Sequence, residues 1–379
     1  MNQFVLKKEI LSILSHHEII FSGIFDYQNH FSQLDKDIVF YKNWINDGHQ
    51  GEMEYLAKNL TIREDARKLF PELKSALIFL FPYHEGNRTR KQIRRDEDFN
   101  NKIEDLSLKD SIVHSGLISR YARGKDYHKV LKKRLHAVAQ ELVKHIENPF
   151  IFKPIIDSVP FLDRAHGREA GLGFVGKNTM LIRPGLGSYF FIASLLTSLP
   201  ASEFAQESKK HNPIYSLDCG SCQRCLDACP TSAFVEPFKL DAKKCLSYLT
   251  IEHRDIVDEV YLPHYSSTIY GCDICQTVCP YNFVTDDLPK LKQLREPHEP
   301  FLNIKALDIA QMSKQEYESW FGGTAATRAK YSGLVRNALY HLYAVQDQQL
   351  PFVLALREKD ENQLIRKVVE QLNKLIKHT

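Results

Sequence analysis

All eight cysteines of this 379-residue chain lie in one segment, residues 219–279. Four of them have the spacing C-x2-C-x2-C-x3-C with Pro230 directly after, and a second run, C-x2-C-x3-C, ends before Pro280. The first spacing is that of bacterial two-cluster ferredoxins, in which the fourth cysteine binds the other [4Fe–4S] cluster. Cys245 lies between the runs and completes the second set. This rule predicts one cluster on Cys219, Cys222, Cys225 and Cys279, and another on Cys229, Cys245, Cys272 and Cys275.

Zinc and disulfides are weaker explanations of the same segment. A zinc site pairs two CxxC knuckles and often recruits histidine, whereas the tight three-cysteine spacing suits a cluster better than one ion. Disulfide frameworks are typical of small secreted domains, and this long chain has no cysteine outside the segment. The eight thiols make two complete sets of four ligands. The segment is therefore predicted to carry electrons.

The N-terminal sequence shows neither a basic head before an apolar stretch nor a small-residue cleavage site. The longest apolar stretch, around Tyr189 to Leu196, is too short to span a membrane. Because thiolates and low-potential clusters also suit a reducing compartment, we expect a soluble cytoplasmic protein without a membrane partner. We interpret the N-terminus as an amphipathic helix whose apolar side carries Phe4, Leu6, Ile10, Leu11 and Leu14.

The apolar pattern predicts three domains. Before the cysteines, apolar runs at 76–81, 151–156 and 189–196 have the character of buried strands, and residues 129–146 that of a helix. This alternation predicts an α/β domain over residues 1–205, followed by a polar linker at 202–216 and a ferredoxin-like domain over residues 206–290. Residues 291–379 are predicted to form an α-helical domain, whose apolar stripe consists of Leu364, Val368, Leu372 and Ile376.

A glycine-rich segment at 171–178, GLGFVGKN, contains the letters of a dinucleotide-binding motif. That motif requires a preceding strand and an acidic residue about twenty positions later. Residues 163–170 are instead polar and helical in character, and no acid lies near that offset. We therefore favour close approach of the backbone to another flat ligand over NAD.

Asp157 is the best single acid–base candidate, because it directly follows the apolar run IFKPII and precedes Pro160, Phe161 and Leu162. Burial among these residues would disfavour the charged carboxylate and keep a proton available near neutrality. An aspartate at this place can equally cap a turn or helix. Residues alone leave both roles open.

Two basic patches are candidates for binding nucleic acid, although the net charge of only +3 gives no strong overall field. Each could also be a solvated face, and the acidic run at 96–98 beside the first patch favours that alternative. The first patch consists of Arg88, Arg90, Lys91, Arg94 and Arg95, and the second of Lys129, Lys132, Lys133 and Arg134.

Several motifs together resemble the epoxyqueuosine reductase family. They are RYARGKDYHK, DSVPFLDRAHGREAGLGFVGKNTMLI, the cysteine spacing, CLSYLTIEHR and YGCDICQTVCPYN, with WINDGHQGEMEYLAKN and Arg63 near the start and RAKYSGLVRNAL near the end. The resemblance covers nearly the whole chain. It implies an α/β corrinoid-binding domain similar to that of reductive dehalogenases, followed by a two-[4Fe–4S] ferredoxin-like domain and a small C-terminal α-helical domain. It also implies reduction of epoxyqueuosine to queuosine at the wobble position of tRNA, the last step of queuosine biosynthesis.

The resemblance further implies cobalamin as a cofactor. The corrinoid motif D-x-H-x-x-G is absent, since Leu131 follows Asp126 and His128 where glycine is required. We therefore interpret His128 as structural and expect base-off cobalamin without a protein histidine on cobalt. The chain departs from the family pattern at Val159, Asp163, Phe174 and Tyr281. Residues expected to contact the cofactor are Arg63, Tyr121, Asp157, Lys177, Asn178, Thr179, Ser247 and Thr250.

Opening an epoxide to an alkene requires two electrons, two protons and loss of water. We expect the clusters to reduce cobalamin, cobalt to attack an epoxide carbon, and Asp157 to protonate the opening oxygen. The base must be splayed out of a tRNA anticodon loop, which favours phosphate contacts by Arg94, Arg95, Lys132 and Lys133. The partners are then this tRNA and an external low-potential electron donor, and we expect a monomer. A reductive dehalogenase acting on a small molecule and a plain electron-transfer protein are the alternatives.

Overall fold

The computed structural model describes residues 3–28, 32–83, 113, 116–208, 217–282 and 291–378. None of the helices within these ranges is both long and apolar enough to cross a membrane. The strands in chain order are β1 (Gln3–Leu6), β2 (Phe21–Asp26), β3 (Ser75–Pro82), β4 (Phe152–Ile156), β5 (Phe174–Val175), β6 (Leu181–Ile182), β7 (Phe190–Thr197), β8 (Ala205–Ser208), β9 (Phe234–Glu236) and β10 (Lys239–Leu240).

Helices flank these strands and dominate the C-terminal part. The α-helices are α1 (Lys8–His16), α2 (Ser32–Asn46), α3 (Glu54–Lys58), α4 (Leu60–Glu64), α5 (Tyr127–His145), α6 (Asp163–Glu169), α7 (Ala201–Phe204), α8 (Arg224–Asp227), α9 (Leu246–Ile251), α10 (Ile274–Thr277), α11 (Lys292–Arg295), α12 (Ala306–Gln311), α13 (Lys314–Phe321), α14 (Lys330–Ala344), α15 (Leu350–Arg357) and α16 (Gln363–His378). The 3-10 helices are Ala66–Lys68, Arg120–Ala122, Ala242–Lys244, Glu259–Ser267, Pro280–Asn282, Glu299–Leu302 and Ala325–Ala329.

The central sheet has the order β2-β3-β7-β4, and each of its pairings is antiparallel. Strand β3 is buried on both faces, because successive side chains alternate between the two faces of a sheet and helices cover both. One face carries Leu77, Phe79 and Phe81 and packs on α1 and α5. The opposite face carries Ala76 and Ile78 and packs on α6. The predicted strands β3, β4 and β7 and the predicted helix α5 are confirmed, within an antiparallel sheet.

The N-terminal prediction was wrong in part. The chain begins with strand β1 and becomes helical only at α1, because Leu6 is buried and its neighbour Val5 is 57% exposed, which is the two-residue period of a strand. Within α1 the buried residues include Ile10 and Leu14, as expected, whereas Leu11 is 44% exposed. Lys7 ends the strand, and its N–H donates to the carbonyl of Phe204 at 2.9 Å.

The predicted linker at 202–216 was also wrong in its first half. Residues 201–208 form helix α7 and strand β8, and β8 pairs antiparallel with β1. This pairing satisfies the backbone groups of both short strands and extends the first structural unit to Ser208, past the proposed boundary at 205. Residues 209–216 lie outside the described residues.

The C-terminal helices share a hydrophobic core with the cysteine segment. In α16 the expected residues Val368 and Leu372 are buried, and Ile365 and Val369 are buried beside them, whereas Ile376 is 40% exposed. They join a single cluster of buried side chains that includes Leu246 and other residues of the cysteine segment. The division at 290/291 remains a prediction, and a continuous core crosses it.

Arg336 on α14 joins these two parts and is fully buried. Its guanidinium donates to the carbonyls of Leu249 at 2.6 Å and of His253 and Asp255 at 2.8 Å each. It also donates to the side-chain oxygen of Asn337 at 2.9 Å. Arg336 therefore satisfies carbonyls at the end of α9, the helix that begins after Cys245, and in the turn that follows it.

We predict that Arg336→Met destabilises this part of the protein. Each buried acceptor left unpaired costs about 1–3 kcal/mol, so the thermal unfolding midpoint should fall by roughly 5–10 °C. Thermal unfolding of anaerobically purified protein measures the change. Lys374→Met, on the exposed side of α16, is the matched control and should stay within about 1 °C of wild type. An equal midpoint in both variants would contradict the role of Arg336.

Candidate functional site

Four of the thiols form one group of electrostatic neighbours. Burial raises the pKa of the Cys225 thiol to about 11, and Cys219, Cys279 and Cys222 add to the shift. Burial also raises the pKa of Cys279, with Cys219 and Cys222 as its neighbouring thiols. These four cysteines are the first set that the ferredoxin spacing gives.

The other four thiols form a second, adjacent group. Burial raises the pKa of the Cys272 thiol to about 12, with added contributions from Cys245 and Cys229. The pKa of Cys275 is raised by burial and then by Cys245 and Cys272, and also by Cys225 of the first group. The two groups therefore adjoin where Cys275 and Cys225 approach each other. Such proximity is what stepwise electron transfer requires.

The chemistry of both groups fits iron–sulfur clusters. Backbone N–H groups point at sulfur, from Lys177 to Cys219 at 3.4 Å and from Ala233 to Cys229 at 3.3 Å, and such hydrogen bonds are typical of cluster thiolates. Within the described ranges, no three His, Cys, Asp or Glu side chains are grouped to hold one metal ion. Each thiolate of a cubane binds a different iron, so its ligands stand farther apart than those of zinc.

The glycine-rich segment leads into the β5–β6 hairpin, in which the two strands pair antiparallel. A Cβ at Gly173 would meet the carbonyl oxygen of Ile182 on β6 at 2.3 Å, and one at Gly176 would meet the Ile182 side chain at 2.4 Å. These glycines therefore allow two strands to pack closely. The expected approach of the backbone to a flat ligand is not needed to explain them.

The turn that follows Gly176 contacts both thiol groups. The Lys177 ammonium donates to the carbonyls of Gly220 at 2.8 Å and of Cys222 at 3.0 Å. The Asn178 amide, which is buried, donates to the carbonyl of Cys275 at 3.3 Å. Lys177 and Asn178, predicted as cofactor contacts, thus brace the two cysteine loops, and the side chain of Lys177 is committed there.

Thr179 links the same turn to a cluster of charged residues. It has a left-handed φ of 66°, and its carbonyl and hydroxyl oxygens accept from Arg164 at 2.5 and 3.2 Å. The Arg164 side chain is open to solvent, yet burial lowers the pKa of its guanidinium. Arg164 therefore lies in a recess of the protein. The turn at 177–179 connects this recess to the cysteine loops.

Asp163 and Arg63 complete what we call the polar cluster, defined as Arg63, Asp157, Asp163 and Arg164. Burial raises the pKa of Asp163 to about 8, and the charge of Asp157 raises it further. One oxygen of Asp163, Oδ1, is buried without a hydrogen-bond partner, as is Nε of Arg63. The Arg63 guanidinium lies 5.6 Å from the ring centre of Tyr41. Sequence reasoning missed the role of Asp163 and Arg164, although the apolar residues just before them were a signal of burial.

The structure corrects the expected burial of Asp157. Its side chain is 66% exposed, because the chain turns at the end of β4 with a left-handed φ of 47° at this residue. The phenol of Tyr127 donates to Asp157 Oδ2, and His128 Nε2 lies 3.8 Å from the same oxygen. A capping aspartate accepts from backbone N–H groups, whereas this carboxylate accepts from a phenol. Asp157 is held towards the start of α5.

Tyr121 borders the same place. Its ring centre lies 6.4 Å from that of Tyr127, and its phenol donates to the hydroxyl of Tyr270 at 3.2 Å. Burial raises the pKa of Tyr121 well above its ordinary value, so the phenol stays protonated at neutral pH. Tyr121 therefore lies near Asp157, whose charge adds to the rise in the phenol's pKa, and its contact with the cofactor stays a prediction.

Ser247 and Thr250 lie with the second thiol group. The N–H of Ser247 points at the sulfur of Cys245. Thr250 is 0% exposed, and its hydroxyl donates to the carbonyl of Leu246 at 2.7 Å and accepts from the N–H of Gly271 at 2.9 Å. Thr250 has no surface left for a ligand, so it supports the cysteine loops. Its burial opposes the expected cofactor contact.

The two basic patches differ in what the structure says of them. Lys132 and Lys133 are exposed on α5, the helix that begins beside Asp157. Arg134 is committed elsewhere, since its guanidinium donates to Glu18 Oε2 at 2.9 Å. The first patch, including Arg94 and Arg95, lies outside the described residues.

Two family models and a curated relative match this chain. Residues 63–158 match the family model described as "Epoxyqueuosine reductase QueG, DUF1730". Residues 218–282, which contain the eight cysteines, match the model described as "4Fe-4S double cluster binding domain". The chain is 31% identical to the epoxyqueuosine reductase of Pseudomonas aeruginosa over 340 residues, covering 89% of this chain and 87% of that protein.

Two solved structures are similar over nearly the whole chain. One is an epoxyqueuosine reductase with an epoxyqueuosine-modified tRNA-Tyr stem loop, with a TM-score of 0.76 and 26% identity over 96% of this chain and 88% of that one. The other is the Bacillus subtilis enzyme with its catalytic aspartate loop swung out of the active site, with a TM-score of 0.76 and 25% identity over the same shares.

The thiol grouping generates a prediction for Cys245. Anaerobic reconstitution of the wild-type protein should give about eight iron atoms per chain, two cubanes' worth. Cys245→Ala removes a thiol of the second group, so its iron content should fall towards about four, with the cluster on Cys219, Cys222, Cys225 and Cys279 retained. Iron and sulfide analysis with electron paramagnetic resonance measures both. Four irons in the wild type, or no loss in Cys245→Ala, would refute the grouping as a ligand assignment.

Proposed function

Because this chain belongs to the epoxyqueuosine reductase family, and is therefore an oxidoreductase, we propose that it reduces epoxyqueuosine at the wobble position of tRNA to queuosine. The observation that carries the proposal is the turn at 177–179. It bonds to both cysteine loops and, through Thr179 and Arg164, to the polar cluster. An electron-carrying segment thus adjoins a recess that holds an acid. Reduction of an epoxide needs both.

We propose that the two thiol groups bind two [4Fe–4S] clusters and that cobalamin occupies the recess at the polar cluster. Asp163 Oδ1 and Arg63 Nε are buried without partners, and the amide side chains of a corrin ring offer complementary donors and acceptors. His128 Nε2 lies 3.8 Å from Asp157 Oδ2, and the proposal keeps cobalamin base-off, with no protein histidine on cobalt. When bound, reduced cobalamin supplies two-electron chemistry at carbon that clusters, which pass single electrons, do not supply.

Asp157 is the proposed proton donor to the opening epoxide oxygen. Its exposure lets the carboxyl reach a substrate in the recess, and the phenol of Tyr127 fixes Oδ2, leaving Oδ1 for the substrate. The left-handed φ of 47° presents the side chain at the end of β4. The relative with a catalytic aspartate loop that can swing out of its active site supports an acid at a loop of this kind.

The tRNA is proposed to contact α5. Lys132 and Lys133 are exposed and lie about 8 Å along the helix from its start at Tyr127, given a rise of about 1.5 Å per residue. Phosphates next to a base splayed towards Asp157 are within reach of such side chains. The relative bound to a modified tRNA stem loop supports this partner. The proposal includes a monomeric cytoplasmic enzyme and an external low-potential electron donor.

Conversion of epoxyqueuosine-containing tRNA by the reconstituted protein tests the function, and Asp157→Asn tests the acid. Asparagine tolerates the left-handed conformation and keeps an oxygen for Tyr127, but it has no acidic proton. Turnover should fall by about two orders of magnitude or more, with cluster, cobalamin and tRNA binding retained. Nucleoside analysis measures the product. Near-normal turnover in Asp157→Asn would assign this residue a conformational role.

Replacing Lys132 and Lys133 together with alanine should weaken tRNA binding and reduce its salt dependence, because each phosphate contact releases counterions. Turnover at saturating tRNA should change little. Filter binding at several salt concentrations measures the slope. The matched control is Lys374→Ala with Lys377→Ala, both exposed on α16. A changed slope in the control pair alone would place the tRNA on the C-terminal helices.

A further inference from the structure

Asp126, His128 and the proposed acid Asp157 lie next to one another, with His128 between the two carboxylates. Asp126 Oδ1 lies 2.8 Å from His128 Nδ1, and its pKa is lowered mainly by the hydrogen bond from His128. Asp126 is therefore a carboxylate at neutral pH, and it holds the histidine tautomer with hydrogen on Nδ1. His128 Nε2 then faces Asp157 Oδ2 at 3.8 Å. A small approach, or one water molecule, closes that distance.

The histidine ring is held in this orientation from both ends. Tyr127 stacks on it with ring centres 4.0 Å apart and an interplanar angle of 27°, and the phenol of Tyr127 donates to the same Asp157 oxygen. Asp126 also caps α5, since its Oδ1 accepts from the backbone N–H of His128 at 3.0 Å. The His128 side chain is 38% exposed, so it can exchange protons with solvent.

Resting on the proposed function, we propose that His128 is a positioning residue that returns a proton to Asp157 after each protonation of substrate. The proton moves from Nε2 of the His128 imidazolium to an oxygen of the Asp157 carboxylate, leaving neutral His128 with its Nδ1 hydrogen still bonded to Asp126. Solvent then reprotonates Nε2. No electron moves in this step, and charge and atoms balance.

The need for such a residue follows from the exposure of Asp157. Each reduction of an epoxide to an alkene and water consumes two protons. Asp157 therefore loses its proton in every turnover and must regain one. A buried acid can retain its proton through desolvation, but the Asp157 side chain is 66% exposed. An imidazole beside the carboxylate is a proton source at physiological pH. The sequence motif Asp126-Tyr127-His128 thereby has a use other than binding cobalt.

Charged groups approach His128 and Asp157 from three elements, and α6 contributes Asp163 and Arg164, which both interact with the Asp157 charge. The start of α5 contributes Asp126 and Lys129, and the loop after β4 contributes Asp157. Three phenols stand near, those of Tyr121, Tyr127 and Tyr270, and burial raises the pKa of each, so they remain neutral.

His128→Gln tests the inference in the reconstituted enzyme. At pH 8, where protons are scarce, kcat should fall roughly ten-fold or more, whereas at pH 6 it should stay within about three-fold of wild type. KM for tRNA should not change. Added imidazole should restore turnover at pH 8, because the exposed edge of the site admits it. His145→Gln, on the exposed end of the same helix, is the matched control and should behave as wild type.

Asp126→Asn provides a second variant. Asparagine caps a helix as well as aspartate does, but its amide can donate as well as accept, so it no longer fixes the hydrogen on Nδ1 of His128. At pH 8 kcat should therefore fall towards the value in His128→Gln, with full activity retained at pH 6.

Two results would overturn the inference while leaving the function intact. One is a wild-type kcat–pH profile in His128→Gln while Asp157→Asn remains inactive. The other is a loss in His128→Gln that is equal at every pH and insensitive to imidazole, which marks a purely structural role. Failure of the wild-type enzyme to convert epoxyqueuosine-containing tRNA would instead reject the proposed function, and the inference with it.

Discussion

The hydrogen bonds of the turn at 177–179 are the constraint on which the site depends. Lys177 and Asn178 fix the two cysteine loops, and Thr179 fixes Arg164. Because one short turn makes all these contacts, the cysteine loops cannot shift without moving the polar cluster. The close packing of β5 on β6, which Gly173 permits, holds the turn itself. Electron transfer depends steeply on distance, so in the proposed function these hydrogen bonds would hold the distance between the clusters and the recess constant.

Burial makes it costly in free energy to ionise the thiols, and contacts with the rest of the protein offset part of that cost. Burial raises the pKa of Cys272 to about 12, so the free thiols resist ionisation, and iron must provide the energy that stabilises the thiolates. The loops have little regular structure of their own, since α8 and α10 are each a single turn. Cys245 and Cys272 of the second group pack instead against the core shared with the C-terminal helices, and Arg336 satisfies the carbonyl of Leu249 in the helix that follows Cys245.

What the sequence could predict depended on whether one local pattern was decisive. Strand β3 was predictable because burial on both faces leaves an unbroken apolar run. Strand β1 was not, since four residues can satisfy a strand or a helical pattern, and only pairing with the distant β8 decides between them. The thiol grouping was predictable because cluster geometry fixes the spacing of its ligands.

The exposure of Asp157 could not be predicted either, because it depends on one backbone angle rather than on a local sequence pattern. Its neighbours Ile155 and Ile156 are buried, but the left-handed φ of Asp157 turns the chain out of the sheet at that point. On the following helix, Asp163 has a carboxyl oxygen that is buried without a partner, and burial together with the charge of Asp157 raises its pKa to about 8.

In the proposed function, the supply of electrons and the supply of protons reach the site from different sides. The contacts to the cysteine loops reach the polar cluster through Thr179 and Arg164 on one side. The start of α5 reaches Asp157 through Tyr127 and His128 on the other. In the proposed function, electrons and protons therefore enter through different structural elements, so the proposed acid can lie at a solvent-facing helix end while the thiols stay covered.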